Sequence, residues 1–414
     1  MTKEYNLSLS NFADIMGVSR NTVNIWVRNG VYKTVTDSCG NVMLNTADLT
    51  GAKEIRDMVE SEWDSEMHTK PRRSFASIEL FAGAGGLAIG MEKAGIEHIM
   101  LNEVDHDACQ TLMKNRPQWH VAEGDVRNLD FKRYAGKVDV LTGGFPCQAF
   151  SFAGKKAGFN DTRGTLFFEL ARAVKETSPK VFVCENVKGL VSHDDGRTFK
   201  VICDAIADLG YTLVEPHVLH AVKYMVPQKR ERIILVAIRN DYAGKVTFKW
   251  PSPYYRIMTL RDAFFKGELY DCDTPDSCGA SYSAKKEAVL KLVPQGGDWR
   301  DLPPDVAKDY MGVSYTSGGG KTGMARRLSL DEPSLTLTCS PVQKQTERCH
   351  PTETRPLTVR EYARIQTFPD DWSFAGSMAS KYKQIGNAVP VNLAYAIGRA
   401  VVRLLNQIDE LDSK

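Results

Sequence analysis

Phe81-Ala82-Gly83-Ala84-Gly85-Gly86-Leu87 follows the apolar run Ser77-Ile78-Glu79-Leu80 and leads into a helical pattern over 87–94. Glycines at such a turn tolerate positive φ and let backbone approach a ligand at the carboxyl end of a sheet. Downstream the texture repeats. Short apolar runs at 98–101, 138–141, 181–184 and 232–237 alternate with helical stretches at 107–114, 164–176 and 198–209. This alternation predicts an α/β fold, a doubly wound and mostly parallel sheet with helices on both faces.

The turn alone serves many nucleotides. Two acids narrow the choice. Glu103 ends the second expected strand, where a carboxylate can accept both hydrogen bonds of a ribose diol. Asp125 ends a third, within reach of an adenine amino group. A solvated loop is the commoner fate of any single acid, but acids at consecutive strand ends favour an adenosyl cofactor. The absence of a Gly-Lys-Ser/Thr loop counts against ATP and GTP.

Composition sets looser bounds. Hydrophobic residues are 43% and charged residues 25% of 414, ordinary globular usage. The net charge of +2 gives no global attraction to nucleic acid, so any such contact needs local Lys and Arg. Nine scattered cysteines and eight histidines suggest a reducing cytoplasm with neither disulfides nor a metal site. No apolar run is long enough to span a bilayer, and no secretory signal opens the chain.

Five units are expected. Residues 1–50 read as a helix-turn-helix with a wing hairpin over 37–44, its second helix presenting Arg20 and Asn21 to DNA. Four Lys/Arg there balance four Asp/Glu, and many small helical units with this pattern never touch DNA. Residues 51–74 read as a charged helix and polar linker, and 75–240 as the catalytic and cofactor-binding unit. Residues 241–347 are irregular and Gly-rich, as functional insertions are, and 348–414 return to the main body.

The chemistry-bearing residues lie at strand ends. Gly143-Gly144-Phe145-Pro146-Cys147-Gln148 puts a cysteine in a polar loop, unlike the usual buried, inert one. Glu185-Asn186-Val187 closes the next strand, and alternation in Gln228-Lys229-Arg230-Glu231-Arg232 points Arg230 and Arg232 the same way.

Together these motifs, with Arg355-Pro356-Leu357-Thr358 and Gly386-Asn387-Ala388-Val389-Pro390, resemble the DNA (cytosine-5)-methyltransferases of bacterial restriction–modification systems. They occur in that family's order and spacing, although Glu79 stands where the family usually has Asp. The resemblance implies a Rossmann-like fold binding S-adenosylmethionine, Cys147 as nucleophile and Glu185 at ring nitrogen 3. It also implies Arg232 on the cytosine carbonyl and Arg230 in support. Phe81, Gly83, Gly85, Glu103, Val104, Asp125, Val126, Pro146, Leu166, Asn387 and Ala388 are the expected cofactor pocket. Residues 241–347 match the family's target-recognition region. DNA contacts fall to Gln148, Ser151, Lys321, Arg326, Arg327 and the Thr336-Leu337 element, although the basic loop could equally be solvated. The expected partner is duplex DNA, met by a monomer at the methylation site. The N-terminal module could add a dimer on operator DNA and regulate its own operon. An RNA cytosine methyltransferase and a non-catalytic DNA-binding regulator are the rival readings.

Overall fold

The computed structural model describes residues 5–38, 40–145, 166–316 and 321–414. The N-terminal module contains β1 (Asn6–Ser8), α1 (Leu9–Met16), α2 (Arg20–Arg28), β2 (Val35–Thr36) and β3 (Val42–Asn45). Ser8 caps α1 and Ser19 caps α2, each side chain accepting a backbone N–H of the first turn. Gly17, at φ 66°, makes the turn between the helices. The expected hairpin is present: β2 and β3 pair antiparallel, with Val35 opposite Met43.

The segment expected as a linker is a fastened strap. It forms α3 (Lys53–Val59) and α4 (Trp63–Glu66). Ile55 and Met58 complete the core of the module, which also takes in Val222 and Ile257 of the main body. Arg399 lies over the ring of Trp63 at 4.3 Å, and buried Glu66 pairs with Arg403 at 2.7 Å.

The central sheet contains β4 (Phe75–Leu80), β5 (Ile96–Glu103), β6 (Val121–Glu123), β7 (Val140–Gly144), β8 (Val181–Val187), β9 (Tyr211–Leu213), β10 (His217–His220) and β12 (Glu231–Arg239). Its order is β10-β12-β8-β7-β4-β5-β6, with β9 also on β12. From β6 to β8 every pairing is parallel; β12 runs antiparallel to β8, and β9 and β10 run antiparallel to β12. This reversal positions the site. Because β12 runs backwards, its first residues lie beside the last residues of β8, where parallel strands present ligands.

α5 (Gly86–Lys93) and the helix Val391–Asp412 pack against each other so closely that a Cβ on Gly90 would lie 2.3 Å from that of Ala394. The terminal helix is long and apolar enough to cross a membrane by composition, but 83% of its most apolar window is buried here. That apolar length is core.

Residues 241–347 do not separate where composition changes. Tyr242, Tyr254 and Met258 join the central core, and Leu260, Phe264, Leu328 and Leu337 join the cluster around Trp372. A distinct small core forms from Val289, Leu302, Tyr310, Met311, Met324 and Cys349. The inserted unit is therefore shorter than the irregular stretch.

Candidate active site

A cavity of about 930 Å³ opens at the carboxyl ends of the parallel strands. Its first wall is the Gly-rich turn. Phe81 is held at φ 59°, a left-handed conformation that costs an aromatic residue roughly 1–3 kcal/mol. Gly83, at φ 55°, has open space where a Cβ would stand, so a ligand can approach the turn closely. Gly85 and Gly86 do a different job. A Cβ on Gly85 would lie 2.7 Å from Leu112 Cδ2, and one on Gly86 2.2 Å from the Val389 carbonyl oxygen. They bring the turn against its neighbours, and Gly85 is absent from the cavity wall.

Glu103 lines the cavity and accepts the N–H groups of Gly83, Val104 and Asp105, each at 2.8 Å. A carboxylate has about four acceptor positions, so roughly one remains for a hydroxyl in this arrangement, not the two expected. Val104, Leu166, Asn387 and Ala388 also line the wall. Asp125 and Val126 do not. β6 ends at Glu123, and the chain turns under Asp125, whose carboxylate accepts the Arg127 backbone and guanidinium N–H groups. Those hydrogen bonds pull the Asp125 carboxyl down to about 2. Val126 is buried in the core instead. Asp105 and Lys383, which sequence reasoning missed, pair at 2.7 Å on the cavity wall.

Glu79 is a second missed wall residue. It is 1% exposed; Thr142 donates to Oε2 at 3.2 Å, and Oε1 is buried without a partner. Burial pushes this carboxyl up to about 8 against the smaller effects of Thr142 and Ala88. Glu79, one methylene longer than the Asp usual at this position, thus contributes to the cavity wall while its carboxyl stays buried.

The opposite wall is β8 and β12. Glu185 Oε1 and Arg232 Nε are 2.5 Å apart. The guanidinium also donates to the Glu231 carbonyl at 2.8 Å, so donors remain for a further acceptor. Arg230 is buried and donates to the carbonyls of Gly386 at 3.1 Å and Leu337 at 3.5 Å. Burial, with Arg232 nearby, pulls its pKa down to about 9. Gly144 pairs with Glu185 across β7 and β8, and a Cβ there would sit 3.0 Å from Glu185 Oε2. Asn186 donates its amide to the Phe145 carbonyl at 2.9 Å, fixing the chain two residues before Cys147. Pro146, Cys147, Gln148 and Ser151 themselves lie outside the described residues.

Thr336 and Leu337 reach the same cavity. β11 (Gln228–Lys229) pairs parallel with β13 (Ser334–Leu335), and buried Gln228 accepts the Leu337 N–H at 3.0 Å. Gln228 also donates to Gln366, which fastens the carbonyls of Ile385 and Ala388. The Leu337 side chain is core, however, leaving Thr336 and the backbone as the exposed part of the element.

The basic-loop assignment needs correction. Arg327 is 5% exposed and donates to the carbonyls of Leu290, Val293, His350 and Glu353 and to Thr354. It crosslinks irregular backbone that lacks sheet or helix partners, and no donor is left for DNA. Arg326 faces Asp298 at 3.6 Å, and Lys321 donates to the Ser314 carbonyl. Arg20 and Asn21 are exposed on α2.

Sheet order and cavity together define a Rossmann-like α/β fold with an open pocket at the carboxyl ends of its parallel strands. The same fold occurs in an *E. coli* prophage-encoded DNA modification methyltransferase (TM-score 0.59, 24% identity, 80% of this chain and 100% of that one). *Spodoptera frugiperda* DNMT2 shares it too (TM-score 0.55, 16% identity, 80% of this chain and 99% of that one). The model of the C-5 cytosine-specific DNA methylase family matches residues 75–403, and the chain belongs to that family. It is 58% identical to the type II methyltransferase M.Eco47II of *Escherichia coli*, over 99% of this chain and 98% of that one. Against M.PspPI of *Psychrobacter* the identity is 56%, over 95% of each chain.

Proposed function

We propose that this DNA (cytosine-5)-methyltransferase is the modification enzyme of a type II restriction–modification system. It acts on a cytosine flipped out of duplex DNA, through a covalent adduct at Cys147. The observation carrying this reading is the Gly144–Glu185 pairing with Asn186 on Phe145. It fixes Phe145, two residues before Cys147 in the sequence, beside the strand end that holds the Glu185–Arg232 pair.

The cavity suits an adenosyl sulfonium compound: open space beside Gly83 lets a ligand come close to the turn, and Glu103 retains an acceptor position. S-adenosylmethionine supplies an electrophilic methyl group when bound there. The chain does the rest. Carbon 6 is inaccessible inside a duplex, so the base must leave the stack. The Cys147 thiolate forms an S–C6 bond, and the displaced π electrons make carbon 5 nucleophilic. Glu185 serves ring nitrogen 3, and Arg232 donates to the cytosine carbonyl as charge develops. Once carbon 5 carries the methyl group its proton leaves to base, the double bond re-forms and the S–C6 bond breaks.

Incubation with labelled S-adenosylmethionine and either DNA or tRNA tests the substrate; label confined to tRNA overturns it. Bisulfite sequencing of DNA from expressing cells gives the target site. The N-terminal module binds DNA through α2 and represses its own operon. This part predicts a footprint upstream of the gene that is lost with Arg20→Ala/Asn21→Ala while methylation persists; an unchanged footprint refutes it.

A further inference from the structure

The N-terminal module is seated on the segment that shapes the catalytic cavity. Asp14 of α1 lies 3.0 Å from Lys229 Nζ, and both side chains are mostly buried. Lys229 immediately precedes Arg230, and its carbonyl accepts the Thr336 hydroxyl. At the turn after α1, Gly17 comes so close to the body that a Cβ would sit 3.2 Å from His220 Cε1.

Beside this contact lies a cleft of about 430 Å³, walled by the α1–α2 turn on one side and the β8–β12 edge on the other. It shares Val187, Arg230, Arg232 and Thr336 with the catalytic cavity, so the two spaces adjoin. Four Lys/Arg and two acidic residues line it, but Arg230 is spent on buried carbonyls and Arg232 on Glu185. Lys229 is committed to Asp14. Lys188 is not: its pair with Glu231 at 3.0 Å leaves it 60% exposed. Exposed pairs of this kind contribute about 0–1 kcal/mol, so a phosphate can take the ammonium over. α2 begins at Arg20, three residues beyond Gly17 at the cleft rim, and runs about 13 Å with Arg20 and Asn21 exposed.

We infer that this cleft holds the sugar–phosphate backbone of the duplex being methylated, so that the N-terminal module and the catalytic cavity grip one DNA molecule. The inference rests on the DNA-methylating reading above. It makes the module part of the substrate-binding surface, besides any separate operator role. A duplex delivering a base into the cavity passes the cleft and then α2. Lys188 meets backbone, and Arg20 meets backbone or a groove edge.

The test uses full-length protein and the surface variant Lys188→Ala/Arg20→Ala, whose exposed positions leave the core untouched. Each lost phosphate contact lowers the slope of log affinity against log salt by about 0.9. The double variant should therefore lose nearly two units of slope and show a KM for long duplexes raised about tenfold, with kcat unchanged. On a duplex too short to reach α2 the difference should shrink. Hydroxyl-radical footprints of complexes trapped on 5-fluorocytosine DNA should lose flanking protection on one side. Unchanged slope, KM and trapped footprint would overturn the inference. Failure of the wild-type protein to trap at all would instead overturn the underlying cytosine chemistry.

Discussion

The β8–β12 wall and the small inserted core each carry an arginine pair, and the two pairs are used differently. In the wall, the roles are separated: Arg232 pairs directly with Glu185, while Arg230 sits behind it on the carbonyls of Gly386 and Leu337. In the insert, Arg327 has gone to four backbone carbonyls and the Thr354 hydroxyl, and Arg326 to Asp298. A strand pairs its own backbone and so releases side chains for chemistry. An irregular loop leaves carbonyls unpaired, and a buried guanidinium with five donors is an efficient way to satisfy them.

Substitutions sharpen this contrast. Arg232→Ala removes a donor aimed at the reacting base and should lower kcat by about 10²–10³-fold, with the unfolding midpoint little changed. Arg327→Ala should behave oppositely. Several buried carbonyls lose partners at about 1–3 kcal/mol each, so the insert should become sensitive to limited proteolysis and the melting temperature should fall. If Arg327→Ala instead leaves stability intact and abolishes DNA binding, the contrast fails. Glu79→Gln probes the cavity floor. An acid whose folded pKa is raised from 4.5 to about 8 holds its proton more tightly when folded. Its contribution is full below pH 4.5 and is lost as pH rises through about 8. The variant should show a shallower loss of melting temperature over that range than wild type. Arg326→Ala removes one long contact to Asp298, which keeps its 2.7 Å pair with Arg300, so it should lower the melting temperature less than Arg327→Ala.

Legibility in the sequence followed regularity. Glycine-bounded apolar runs located β4, β5, β7, β8 and β12, and the motifs at their ends located both cavity walls. β9 and β10 escaped because edge strands of three or four residues have too little pattern. Asp125 was misplaced for a related reason: β6 stops two residues earlier, and Arg127 turns the acid aside. Gly83 and Gly85 look equivalent in one dimension, and only what surrounds each tells cofactor access from packing. The Arg327 assignment relied on loops being solvated. The module's docking through Asp14 and Lys229 depends on contacts between residues 215 positions apart, which no local pattern encodes.

The central claim is that Cys147 is the covalent nucleophile that adds to carbon 6 of the target cytosine. Its most direct measurement is mass spectrometry of protein trapped on 5-fluorocytosine duplex DNA and digested with trypsin. Cleavage after Lys137 and Lys155 isolates a peptide with Cys147 as its single cysteine. The account predicts one nucleotide adduct on that peptide, absent in Cys147→Ser. An adduct on another cysteine, or full methylation by the serine variant, would contradict it.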